Sequence, residues 1–237
     1  MPAAAQGVFG IERVALAERY AELLATDGVV RGLIGPREAP RLWERHLLNS
    51  AVVADAIAEG VDVADVGTGA GLPGMVLAIR RPDLSVTLIE PLLRRTTFLQ
   101  EVVDELGLTN VTVHRGRADS AVDLGGFDVV TSRAVAGLST LLEWCMPLVR
   151  PQGHVLAMKG SSVDDEIVEA GPALERAGWG RPEVLVVGEE VLDTPTTLCR
   201  VPWADPGSVT WPPRGSVGGA KRRQDTSRRR KRGRQGR

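Results

Sequence analysis

The sequence predicts an α/β protein: a mostly parallel seven-stranded sheet with an antiparallel pair at one edge, preceded by a helical cap. Three observations predict it. From Val61 onward, short β-branched apolar runs alternate with segments of helical periodicity, the pattern of βαβ units around a parallel sheet. The last two apolar runs have no helix between them, which suits an antiparallel edge pair. The first run leads directly into a glycine-crowded turn, Asp65-Val66-Gly67-Thr68-Gly69-Ala70-Gly71-Leu72-Pro73-Gly74, and a helical pattern leaves it.

The elements follow in order. In residues 1–60, Phe9, Ile11, Val14, Tyr20, Leu23 and Leu24 recur at helical spacing, as do Trp43, Leu47, Leu48, Val52 and Val53 within Leu42–Ile57. Gly35-Pro36 and Pro40 punctuate the link between these two stretches, so this region is a helical cap. Residues 61–205 form the sheet-bearing core. Strands are expected at Val63–Val66, Val86–Glu90, Val111–Arg115, Phe127–Thr131 and Gly153–Met158, with helices at Gly71–Arg80, Arg94–Leu106, Leu138–Val149 and Val163–Arg176. Glu183–Val187 and Thr197–Val201 are the edge pair. Residues 206–237 turn to Pro, Gly, Ser and Arg and lack the apolar surface to offset the entropy of ordering, so a disordered tail is expected.

Charge divides the chain in the same way. The net charge is -1, yet residues 206–237 hold eleven Lys or Arg and one acid, a net of +10, which leaves -11 on residues 1–205. A basic arm on an acidic globule is a common nucleic-acid-binding arrangement. No apolar run approaches the roughly 20 residues of a membrane span, and the start lacks a charged segment followed by an apolar one. A cytoplasmic protein without membrane contact is therefore expected. The two cysteines, Cys145 and Cys199, fall in helix and strand patterns with no metal-ligand spacing, so they read as core fillers and no metal site is predicted.

The glycine turn is a cofactor turn with several possible occupants. Gly69 to Gly74 satisfies G-x-G-x-x-G and so admits a dinucleotide; the absence of Gly-Lys-Ser/Thr excludes a nucleoside triphosphate loop. S-adenosylmethionine (SAM) fits as well. Its carboxylate suits a helix N-terminus, its amino group needs acceptors, and its ribose needs an acid. Asp65, the turn glycines Gly67, Gly69 and Gly71, and Glu90 at the tip of the second strand meet those needs. After strand three, Arg117-Ala118-Asp119 offers a carboxylate and a backbone N–H to the edge of adenine.

Other candidates surround the turn. Arg133 follows strand four in an apolar neighbourhood, where an unpaired cation is costly; it should face the cofactor or target, or join a structural ion pair. Lys159 ends strand five on the same edge of the sheet, placed for phosphate or base contact or simply solvated. Both are candidates for positioning in catalysis. Arg45 and His46 on the cap, and Arg94 and Arg95 at a helix start, are candidates for RNA contact. His114 and His154 lie within strands and read as structural.

These residues carry a resemblance. Arg45-His46-Leu47-Leu48-Asn49-Ser50, the turn with its Leu72-Pro73-Gly74 ending, Arg94-Arg95 to Phe98-Leu99, Ser132-Arg133-Ala134 and Lys159-Gly160 resemble the RsmG (GidB) family of ribosomal RNA methyltransferases over about residues 8–203. The resemblance implies a Rossmann-like class I SAM-dependent fold and N7 methylation of the guanine at position 527 of 16S rRNA in the small ribosomal subunit. It also implies SAM contacts at Gly67, Leu72, Ala118, Asp119 and Arg133. Where the family often has Asp after strand two, this chain has Glu90. The Arg-rich tail lies outside the family pattern, and a monomer is expected.

The residues agree with that chemistry. Adenine amino methylation usually brings an Asn/Asp-Pro-Pro-aromatic turn after strand four, where this chain reads Thr131-Ser132-Arg133-Ala134. Pyrimidine C5 methylation needs a cysteine nucleophile, and Cys145 sits within a helix pattern. Ribose methylation needs acids supporting a base such as Lys159, and no full constellation is present. Guanine N7 needs no base. The rival readings are an NAD(P)-dependent oxidoreductase and a non-enzymatic RNA-binding protein.

Overall fold

A computed structural model describes residues 1–124, 126–133 and 136–203. The basic tail, residues 206–237, lies outside the described residues, as does Ala134 of the Ser-Arg-Ala motif. Seven strands among the described residues form one sheet: β1 (Asp62–Val66), β2 (Ser85–Glu90), β3 (Val111–Arg115), β4 (Phe127–Arg133), β5 (Val149–Lys159), β6 (Glu183–Val187) and β7 (Thr196–Pro202). Their order is β3-β2-β1-β4-β5-β7-β6. The first five are parallel, β7 runs antiparallel to β5, and β6 antiparallel to β7.

Side-chain alternation along each strand makes two cores. Val63, Leu88, Val129, Leu156 and Leu198 face one side, where α4 (Gly74–Arg80), α5 (Leu93–Leu106) and the cap cover them. Ala64, Ile89, Val130, Val155 and Cys199 face the other, under α6 (Leu138–Cys145) and α7 (Val163–Ala177). Cys145 and Cys199 are both free and fully buried. None of the described helices is long and apolar enough to cross a membrane.

The cap comprises α1 (Ala4–Phe9), α2 (Val14–Leu23), a π-helical turn Leu24–Gly28, and a second helical stretch. That stretch changes pitch along its length, from 3-10 (Ala39–Arg41) to π (Trp43–Leu48), then through α3 (Asn49–Ala51) to 3-10 (Val52–Ala56). Phe9, Tyr20, Leu23, Leu24, Leu47 and Val53 are buried as expected, whereas Ile11 is 77% exposed. Phe9 meets Trp43 edge to face, and Arg31 stacks 5.6 Å from the Phe98 ring of α5 while pairing with Glu101 at 2.6 Å.

Several boundaries differ from the periodicity, among them the start of β5, at Val149 rather than Gly153. The helix expected from Gly71 starts at Gly74, because Gly69 and Gly71 hold positive φ values of 62° and 104° that no α-helix admits. The helix expected to reach Val149 stops at Cys145, where Pro147 ends it by clashing with the preceding turn. Arg133 is the last residue of β4, in register with Met158, rather than a loop residue beyond the strand.

Candidate functional site

Strand order reverses between β1 and β4, and in open α/β sheets the crevice outside the strand C-termini at such a point is the binding place. The glycine turn leaves β1 here. Gly67 and Thr68 N–H both donate to the Ile89 carbonyl of β2, at 2.9 and 3.3 Å, so the turn is tied down by main-chain bonds. Gly71 and Leu72 N–H then close back onto the Thr68 carbonyl.

Two glycines of the turn serve different ends. A Cβ on Gly69 would meet only the Gly67 carbonyl at 3.9 Å, so space opens in front of it. A Cβ on Gly71 would stand 2.6 Å from the Tyr20 hydroxyl and 2.9 Å from Met75 Cβ. Gly71 is therefore the contact between turn and cap. Tyr20, fully buried on α2, also donates its hydroxyl to the Ala70 carbonyl at 2.7 Å.

Beneath the turn lie two buried carboxylates. Asp65 Oδ2 accepts from Thr68 Oγ1 at 2.6 Å and Gly74 N–H at 2.8 Å, while its Oδ1 is buried without a partner among the described residues. Burial pushes this carboxyl up to about 6. Glu90, 1% exposed, accepts from Gly69 N–H, Leu92 N–H and Arg95 Nη1 at 3.2, 3.0 and 3.1 Å. A carboxylate has about four acceptor positions, so one remains for a hydroxyl.

Arg133 stands at the tip of β4 beside the turn, since Ser132 donates to the Val66 carbonyl at 2.7 Å. Among the described residues it has no carboxylate within ion-pair distance. Its partners are His46 Nδ1 and Ser50 Oγ, both on the cap. Burial lowers the affinity of this guanidinium for its proton, partly offset by Asp65 nearby. His46 in turn faces Glu38 through Nε2 at 3.0 Å, and burial and Arg133 both depress its pKa.

Turn, β4 and cap enclose a cleft of about 310 Å³, lined by Gly67 to Ala70, Leu72 and Arg133 on one side and by Leu33 to Gly35, Glu38 and His46 on the other. That is within the range of small-molecule sites. The donor set fits the amino-acid end of SAM: among the described residues, Arg133 is a half-buried cation lacking a carboxylate, and Asp65 Oδ1 is a buried acceptor lacking a donor.

Of the residues singled out in the sequence, Gly67, Gly69, Leu72, Arg133 and His46 line this cleft. Gly71 backs onto the cap, and Glu90 braces the turn from below. Ala118 (buried) and Asp119 (exposed) sit on the 3-10 turn Ala118–Leu124 after β3, along the same sheet edge but outside the cleft. Lys159 is 7% exposed and donates to Glu166 at 2.7 Å and to the Ala136 carbonyl at 3.0 Å, so it fastens α7 to the chain leaving β4. Arg95 is engaged with Glu90, Arg45 pairs with Glu38 at 3.2 Å while half exposed, and Arg94 is exposed. Sequence reasoning missed Glu38, Ser50 and the role of Tyr20. No spacing rule links them to the turn.

The model of a family described as "rRNA small subunit methyltransferase G" matches residues 13–188. A ribosomal RNA small subunit methyltransferase G of Nocardioides sp. is 61% identical over 212 residues, covering 90% of this chain and 85% of that protein. One from Arthrobacter sp. is 58% identical over 198 residues, covering 84% and 91%. Among solved structures, a SAM-dependent O-methyltransferase from Thermotoga maritima superposes with a TM-score of 0.53 at 15% identity, over 70% of each chain. The tRNA methyltransferase TrmK of B. subtilis gives 0.52 at 15%, over 70% of this chain and 68% of that one. At such identities these two speak for the fold alone, the class I SAM-dependent methyltransferase architecture.

Proposed function

Because the chain belongs to the rRNA small subunit methyltransferase G family, we propose that its cleft holds SAM and that it methylates N7 of a guanine, position 527, in 16S rRNA of the small ribosomal subunit. The oxidoreductase and non-enzymatic readings fall with that membership. The observation that supports the site best is Arg133, a half-buried cation beside the glycine turn with only neutral partners among the described residues.

SAM, when bound, supplies a methyl group activated by its sulfonium. Arg133 takes the carboxylate of the cofactor, Asp65 Oδ1 accepts from its amino group, and the backbone of Gly67, Gly69 and Leu72 shapes the seat. Glu90 offers its remaining acceptor to the ribose, and Ala118 with Asp119 read the adenine edge. Guanine N7 carries its lone pair in the ring plane, so it would accept the methyl group, with the sulfur–methyl bond broken and S-adenosylhomocysteine leaving, without first losing a proton. The chain's task is then alignment, and control of positive charge as it passes to guanine. Lys159 contributes from behind, by fixing Glu166 and the segment after β4.

Arg45 and Arg94, both exposed, contact RNA, and the +10 tail adds phosphate affinity. The enzyme acts in the cytoplasm as a monomer. Incubation of the purified protein with SAM and small subunits, or 16S rRNA, is expected to yield 7-methylguanine at one site; absence of methylation on every form of the RNA overturns the reading. Removing residues 206–237 is expected to weaken RNA binding and flatten its dependence on salt. An unchanged salt slope would sink the role given to the tail.

A further inference from the structure

The cation on which the cofactor reading rests is held from the cap. Arg133 Nη2 donates to Nδ1 of His46, and Nη1 reaches Ser50 Oγ at 3.5 Å. A guanidinium has only donors, so Nδ1 must present a lone pair and the ring proton must sit on Nε2. Nε2 faces Glu38 Oε2 at 3.0 Å, and Arg45 Nη1 approaches both oxygens of that carboxylate. The imidazole is thereby fixed in one tautomer and one direction, as a carboxylate fixes a histidine that ligates a metal.

A neutral partner has a consequence that a carboxylate would not. An Asp or Glu in the place of His46 would hold Arg133 equally well but would neutralise it and compete with an incoming anion. Neutral His46 orients the guanidinium and leaves its charge available, with its other N–H groups unclaimed among the described residues and open to a bidentate carboxylate. Burial and the cation at Nδ1 both disfavour a charged ring, against the opposing pull of Glu38. His46 is also poorly placed to grip RNA phosphate, since both ring nitrogens are engaged and its side chain is 14% exposed.

We propose that His46, backed by Glu38, is a positioning pair that aims Arg133 at the carboxylate of SAM, so that the cap sets affinity for the amino-acid end of the cofactor. The inference rests on the cleft being the SAM site. It assigns to the cap a part in cofactor binding that is separate from RNA contact.

The test is calorimetric titration of the full chain with S-adenosylhomocysteine, which keeps the amino-acid end, and with 5′-methylthioadenosine, which lacks it. His46→Ala is expected to weaken S-adenosylhomocysteine about 10-fold, the lower end for residues that orient a binding group, and to leave methylthioadenosine unchanged. His46→Asn, whose carbonyl can stand in for Nδ1, should keep most of the affinity. His46→Gln, which reaches toward Glu38 instead, should lose it. The Asn and Gln pair decides the matter even if the alanine variant does not fold. Equal loss for both ligands, or equal behaviour of the Asn and Gln variants, overturns the proposal. Failure of the unaltered protein to bind either ligand overturns the cofactor reading itself.

Discussion

The wall of the cleft that carries the glycine turn is held by main-chain bonds and by Asp65 and Glu90 from its own sheet, whereas the facing wall on the cap is held by side chains that reach across the chain. On the first, the Ile89 and Thr68 carbonyls collect four N–H groups of the turn, and the adjoining α4 and α5 are regular α-helices. On the second, Tyr20 reaches Ala70, His46 reaches Arg133 and Asn49 reaches Thr196, across 50, 87 and 147 residues of chain. The helices there pass through 3-10, α and π pitch. The π-helical turn Trp43–Leu48 carries both Arg45 and His46, and such turns recur at functional sites. One wall is thus a fixed seat, and the other is a surface adjusted to meet it.

The strongest way to break this contrast is at Gly71, where the walls touch. Gly71→Ala puts a Cβ at φ 104° and against Tyr20 and Met75, and should cost on the order of 4 kcal/mol from strain and overpacking. Urea unfolding measures it; a loss under about 1 kcal/mol would mean the walls are not in contact there. Adding Tyr20→Phe removes the nearest clashing atom, so the double mutant should recover about 1 kcal/mol of coupling.

Asp65 tests the fixed wall next. Its folded pKa of about 6 lies above the ordinary 3.8, so between those values the folded protein keeps a proton that the unfolded chain has lost. Stability is full below about pH 4 and falls as pH rises through 6, by up to about 3 kcal/mol. Asp65→Asn should flatten that slope and raise the ligand-free melting temperature at pH 8, while weakening S-adenosylhomocysteine. A variant that loses stability at pH 8 would show that the ionised carboxylate holds the turn rather than straining it.

Tyr20→Phe alone is the mildest probe. It leaves the Ala70 carbonyl without its donor and should cost about 1 kcal/mol. Its sharper reading is the ratio of the two ligand affinities used for His46. Loss confined to S-adenosylhomocysteine would extend the cap's influence from Arg133 to the turn itself.

The two walls also differed in how far they could be read from the chain. Alternation located every strand within a few residues, and the turn, Arg133 and Glu90 were all found at the sheet edge where parallel topology sends them. The local partners of Glu90 and Lys159 were not legible. Arg95 takes up part of Glu90, and Glu166 holds Lys159, and spacing alone singles out neither partner. Glu38 gave no signal, because its part depends on a tautomer fixed by a residue 95 positions away along the chain.

By itself the sequence determined the element order, the glycine turn and the family. These depend on backbone permission and on periodicity, which act over a few residues and are written locally. Only the tertiary structure decided that Gly71 faces the cap, that Lys159 is bound behind the site, and that a neutral histidine holds Arg133. Those outcomes depend on which side chains meet once strands and cap are packed, and burial then sets the charge each can keep.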